Sequence, residues 1–210
     1  MKLEIVTLVL GPLDNNSYIM ADPVSREAIV IDPSFDAENI SKEIQQRNWH
    51  LSNIWLTHAH FDHIAGINAL IRTLSYPMQI GIHPADLELW KQGGGAGYFG
   101  IEIEPGPAPT LFFTHAQKLF LGAVAIEVRH TPGHTPGHVI FYASENEIAF
   151  CGDLIFNRGI GRTDLPGGDQ IELLHSIRTQ VLVLPSQTRL LSGHGPETTV
   201  GGEAAENPFL

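Results

Sequence analysis

The sequence predicts a mixed α/β layer structure, and three observations carry that expectation. Short β-like runs alternate with helical apolar spacing over residues 1–82 of the 210-residue chain. Hydrophobic residues make up 43% of the chain and charged residues only 17%, which is ample material for a core. The residue types able to ligate metal fall just beyond strand-like runs, where the functional loops of α/β folds gather.

Each element follows from local pattern. Leu3–Leu10 and Ser17–Met20 read as strands around a turn at residues 11–16, and Glu27–Ile31 as a third strand closed by Asp32-Pro33. Ala37–Arg47 places Ile40 and Ile44 at helical spacing, with Asp36 as the expected N-cap. Asn53–Leu56 is a strand leading into Thr57-His58, followed by a helix at Ile64–Leu74 and a strand at Met78–Ile82. Lys91–Pro109 turns Gly- and Pro-rich and reads as a binding loop or lid. Strands are expected again at Leu119–Val128, Val139–Ala143 and Ile148–Phe150, then a helix at Gln170–Val181 and a last strand at Arg189–Leu191. No repeat or linker interrupts the chain, so a single domain over residues 1–210 is expected.

Composition excludes several functions. Twelve Lys+Arg against 23 Asp+Glu give a net charge of −11, which argues against nucleic-acid binding. Cys151 is the one cysteine, so intrachain disulfides and CxxC sites are excluded. Glu4 and Thr7 interrupt the opening apolar run, which is too short to span a bilayer; a cytoplasmic protein with no membrane partner is expected. Histidine is in excess, 11 residues, nearly as many as all lysines and arginines. Histidine is the commonest metal ligand.

Three imidazoles and one carboxylate crowd into Thr57-His58-Ala59-His60-Phe61-Asp62-His63. The strand end fixes His58 and His60, and the next helix turns Asp62 and His63 to another side of the same cavity. Such a cluster supplies two adjacent ligand sets; closed structural zinc sites favour cysteines that this chain lacks. Thr131–His138, Cys151-Gly152-Asp153 and Ser192-Gly193-His194-Gly195 each follow or join strands and bring further ligand types. His130, His134 and His138 are spaced by four, but Pro132, Gly133, Pro136 and Gly137 forbid a helix there.

HxHxDH, PGHTxGH, GD and GHG, in that order, resemble the motifs of the metallo-β-lactamase-fold hydrolases. Within them the chain is similar to short single-domain bacterial glyoxalase II-like (hydroxyacylglutathione hydrolase-like) proteins, also in Gly159–Asp164 and in the ending Asn207-Pro208-Phe209-Leu210. The resemblance implies an αββα sandwich with a metal site at one edge of two facing mixed sheets. It implies two divalent ions per chain, zinc first and iron or manganese as alternatives. His58, His60 and His134 would hold one ion and Asp62, His63 and His194 the other, with Asp153 bridging and Asp62 a candidate for proton handling. The implied reaction is hydrolysis of thioesters such as S-lactoylglutathione by a metal-bound hydroxide.

The two ions would reduce the formal charge from −11 to −7 and make the cleft attractive to anions. A thiolate leaves readily, so no GxSxG elbow or triad is required, and none is present. Persulfide dioxygenases share HxHxDH and a similar Gly-x-Gly-Arg-Thr-Asp stretch, with a single iron on positions matching His58, His134 and Asp153. That reading, a lactonase or other ester hydrolase, and a non-enzymatic metal-binding protein are the alternatives. Around the ligands, Asp32, His138 and Cys151 are candidates to support or wall the site, although a small buried hydrophobe is the better reading of Cys151. Arg162 is a candidate contact for glutathione, or else a loop arginine paired with Asp164 or Asp169. Gly95–Gly100 fits GxGxxG without the flanking strand and helix a dinucleotide site needs; its Tyr98 and Phe99 are expected to overhang the cleft.

Overall fold

A computed structural model describes residues 2–210. The strands are β1 (Glu4–Leu10), β2 (Asn15–Ala21), β3 (Glu27–Ile31), β4 (His50–Trp55), β5 (Gln79–Ile82), β6 (Leu111–Phe112), β7 (Lys118–Leu121), β8 (Val124–His130), β9 (Val139–Ala143), β10 (Ile148–Gly152), β11 (Ile155–Phe156), β12 (Gly159–Ile160), β13 (Arg189–Ser192) and β14 (Thr198–Thr199). The helices are α1 (Glu38–Gln46), α2 (Phe61–Ile64), α3 (Ile67–Leu74), α4 (Leu87–Lys91), α5 (Gln170–Ser176) and α6 (Val200–Glu206). One six-stranded sheet runs β1-β2-β3-β4-β5-β6 and a second runs β14-β13-β10-β9-β8-β7. Both are mixed: β3, β4, β5 and β6 pair in parallel, as do β10 and β13, and the remaining ladders of these two sheets are antiparallel.

Side-chain alternation turns these sheets into a four-layer stack. On β2 and β3, Tyr18, Met20, Ile29 and Ile31 face the second sheet, where they meet Val128, Phe141, Phe150 and Leu191. Their neighbours Ile19, Ala21, Ala28 and Val30 face outward, onto Ile40 and Ile44 of α1 and Ile67 and Leu70 of α3. The outer face of the second sheet, with Ile140, Ala149, Cys151 and Leu190, is covered by Leu173 of α5 and Val200 of α6. Central strands buried on both faces read as continuous apolar runs, as β3 and β9 do. Truncating a side chain such as Phe141, fully buried between the sheets, costs about 3–5 kcal/mol by cavity formation.

Several elements differ from the sequence expectation. Asp36 does not cap α1: its backbone is left-handed (φ 57°), its carboxylate accepts from Gly11 N, and Ala37 occupies the cap without a side-chain bond. The helix expected at 64–74 begins earlier, as α2, and breaks before α3. At the break Gly66 N donates to Pro33 O, and a Cβ there would lie 1.9 Å from Ser34 O, so the backbones touch where only glycine fits. The run expected as one strand at 119–128 is the hairpin β7–β8, with Leu121 paired to Val124. The helix expected at 170–181 is α5, capped by Asp169 Oδ1 accepting from Ile171 N and Glu172 N, followed by a wider π-type turn at Ile177–Val181. The short strands β6, β11, β12 and β14 and helix α6 carry no periodic signal long enough to read from sequence.

Candidate metal centre

The ligand-bearing segments meet at one edge of the two sheets, because each leaves a strand at that edge. Asp32 ends β3 in a left-handed conformation (φ 52°) and its amide donates to Trp55 O at the end of β4. Its carboxylate then accepts from Thr57 N at 2.7 Å and from Thr57 Oγ1 at 2.6 Å. Because the Thr57 hydroxyl proton is engaged there, Thr57 Oγ1 accepts from His58 Nδ1–H at 3.0 Å, which leaves His58 Nε2 as the free lone pair. His63 Nδ1–H donates to the same Asp32 carboxylate at 3.1 Å. His134 Nδ1–H donates to Arg162 O at 2.7 Å and His194 Nδ1–H to Leu13 O at 3.0 Å. The imidazoles of His58, His63, His134 and His194 therefore each donate one N–H to a fixed acceptor and aim Nε2 at a common region, the arrangement by which metal-binding histidines are oriented.

Two sets of three ligand atoms result, each within 4.8 Å of one another: His58, His60, His134 and Asp62, His63, His194. His60 Nδ1 lies 2.8 Å from His134 Nε2, so these rings point at the same position. Asp153 stands between the sets, Oδ1 at 3.4 Å from His63 Nε2 and Oδ2 at 3.7 Å from both His134 Nε2 and His194 Nε2. A Cβ on Gly193 would sit 2.1 Å from Asp153 Oδ1, so the glycine before His194 makes room for that carboxylate. A third grouping, Asp32 with His58 and His63, is geometrically close, but the Asp32 carboxylate is already saturated by Thr57 and His63.

The donor set fits metal. His58 Nε2, His63 Nε2 and Asp153 Oδ1 are buried with no hydrogen-bond partner, a costly state unless a cation completes them. Burial, then neighbouring imidazoles, pulls the pKa of His58 well below its ordinary value; burial and His134 bring His60 to about 3; burial likewise lowers His134. These rings are neutral, as ligation requires. His63 goes the other way: burial opposes its charge, but Asp153, Asp62 and Asp32 outweigh burial and raise it. For Asp153 and Asp62, burial opposes ionisation and is overcome, chiefly by His63; Asp62 falls to about 2.

Some supporting residues were not legible in sequence. Asp86, wholly buried after β5, accepts from Ala59 N at 3.0 Å, Thr135 Oγ1 at 2.8 Å and Gly137 N at 2.6 Å. It thereby ties the loop between His58 and His60 to the loop around His134. Asn15 Nδ2 donates to Asp62 Oδ2 at 2.9 Å. The expected neighbours divide: Asp32 supports two ligand segments, His138 bonds Thr131 Oγ1 at 2.8 Å beside His58, and Cys151 lies in the core under α5, its thiol directed at Ala149 O. The Arg162 guanidinium is paired with Asp164 through two 2.7 Å hydrogen bonds, leaving its carbonyl to hold His134. Tyr98 and Phe99 border a cleft of about 760 Å³ that opens over His60, Asp62, His134, Asp153 and His194.

The family profile described as Metallo-beta-lactamase superfamily matches residues 10–194. A Haemophilus influenzae protein named hydroxyacylglutathione hydrolase GloC is 35% identical over 212 residues, covering 100% of this chain and 98% of that one. The crystal structure of BLEG-1 B3 metallo-beta-lactamase superposes with a TM-score of 0.91 at 36% identity, covering 99% of both chains. That of TTHA1623 in a di-iron-bound form gives a TM-score of 0.88 at 38% identity, covering 98% of this chain and 100% of the other.

Proposed function

The chain belongs to the metallo-beta-lactamase superfamily, and from that premise we propose that it is a dinuclear metal-dependent hydrolase of small-molecule thioesters. The observation carrying this reading is the convergence of His58 Nε2, His63 Nε2 and Asp153 Oδ1, each buried and without a hydrogen bond, at two adjacent sets of three possible ligands. The 35% identity to a hydroxyacylglutathione hydrolase supports the thioester class, and the di-iron relative supports a pair of ions as the resident group. His58, His60 and His134 would hold one ion and Asp62, His63 and His194 the other, with Asp153 shared; zinc is proposed, with iron or manganese in the same seats.

Two divalent ions there would supply Lewis acidity for water near neutral pH and for charge on a carbonyl oxygen. The chain's own contribution is orientation. Asp32 and the carbonyls of Arg162 and Leu13 fix ring tautomers, Asn15 holds Asp62, and Asp153 keeps the two sets in register. A thiol leaving group has a pKa of about 8.5, so it departs without a protein acid. A site using one iron would leave the Asp62, His63 and His194 set unused.

The expected result is about two zinc, iron or manganese ions per purified chain, together with hydrolysis of S-lactoylglutathione. One tightly held iron with sulfite release from glutathione persulfide would replace this reading with the dioxygenase one.

A further inference from the structure

We propose that the preferred thioesters carry an uncharged, apolar group beside the reacting carbonyl and an uncharged thiol carrier; this rests on the thioesterase reading above. The cleft wall shows why. Leu13, Leu89, Phe99, Ile101, Phe156 and Ile160 line it. Leu13 and Phe99 stand 47% and 48% exposed at its mouth, large apolar side chains left unburied over a catalytic floor. Concave apolar surface of that kind marks where a ligand's non-reacting part is desolvated.

Charge points the same way. Glutathione brings two carboxylates and one ammonium, and recognition of carboxylates calls for free guanidinium or ammonium groups. Arg162 is the one Lys or Arg among the described residues lining the cleft, and both carboxylate oxygens of Asp164 already occupy its Nε and Nη2 at 2.7 Å. Glu88 lines the same cleft and is ion-paired with Lys91, so this pair adds no net positive charge there. At the floor, Asp32, Asp62 and Asp153 would cancel most of the positive charge of two divalent ions, so the pull on an anionic carrier would be weaker than the net-charge argument from sequence implies.

The test uses the metal-loaded protein and four substrates: lactoyl and hexanoyl thioesters, each on glutathione and on N-acetylcysteamine. The expected kcat/KM is highest for hexanoyl-N-acetylcysteamine and lowest for S-lactoylglutathione, about tenfold or more apart, the scale of burying a few methylenes. Calorimetry with non-hydrolysable thioethers gives a second readout: S-hexyl-N-acetylcysteamine is expected to bind more tightly than S-methylglutathione. Asp164→Asn frees the guanidinium and is expected to raise the ratio of glutathione to N-acetylcysteamine turnover about threefold, the scale of an exposed ion pair. S-lactoylglutathione turned over as well as or better than the hexanoyl ester would overturn the proposal while leaving the thioesterase reading intact. Hydrolysis of none of the four would overturn the thioesterase reading, and this inference with it.

Discussion

At the floor of the cleft His58, His63 and His134 are almost wholly buried, and each donates a ring N–H to a fixed acceptor. At its rim Tyr98 and Phe99 are 66% and 48% exposed, and Phe99 leans on Phe61 at a ring distance of 5.4 Å. The floor is built from polar groups that tolerate no loss, because an unpaired buried donor or acceptor costs its full desolvation. The rim is built from apolar contacts that change by degrees. One region gathers the groups that could hold metal, and the other lies over them.

The largest expected effect tests the floor itself. Asp153→Ala is predicted to reduce metal content and thioester hydrolysis by at least about a hundredfold, measured by elemental analysis and initial rates. Full activity in that variant rejects the shared-ligand role and makes the floor less interdependent than described. Next comes Asp86, which touches no ligand side chain yet joins the two histidine loops. Asp86→Ala is predicted to weaken metal affinity about tenfold to a hundredfold, read by chelator competition, with partial recovery in Asp86→Asn. Unchanged metal affinity would confine Asp86 to general packing.

A smaller effect is expected at the rim. Phe99→Ala is predicted to lower kcat/KM for apolar thioesters about threefold to tenfold, with the metal content of the unaltered protein. Metal loss in that variant would erase the distinction between the two regions. The smallest effect concerns the joint between them. His83 stacks on His130 at 4.0 Å and its Nδ1 accepts from Ala85 N, at the start of the segment carrying Asp86 and α4. Burial, then His130, lowers its pKa to about 4 from 6.5. The unfolded chain therefore takes up the proton first, so this contribution to stability is present above about pH 6.5 and is lost as pH falls toward 4. Urea midpoints between pH 7 and 4 are expected to fall less steeply in His83→Gln; an identical slope would remove the assignment.

Much of the floor was legible in the sequence because its signals are local. HxHxDH, the glycine- and proline-broken turn around His134, and Asp153 and His194 just past strands announce candidate ligands within a few residues of where the structure gathers them. The strand character of β2 and β3 is likewise local. At the rim the Gly-rich change of character suggested a loop carrying Tyr98 and Phe99 over the cleft, which they border, but the packing of Phe99 on Phe61 left no periodic signal.

The sequence by itself determined the ligand chemistry, the α/β alternation and the excess of histidine, because these depend on residue type and on spacing along a strand or a turn. Only the tertiary structure decided which partners complete the site. Asp86 meets Thr135 and Gly137 across 49 and 51 positions, Asn15 meets Asp62 across 47, and Leu13 O meets His194 across 181. It also decided that Arg162 gives its guanidinium to Asp164 and its carbonyl to His134. The physical reason is that a hydrogen bond to a buried ring is fixed by where sheet edges bring backbones together, and residue type alone carries no record of that meeting.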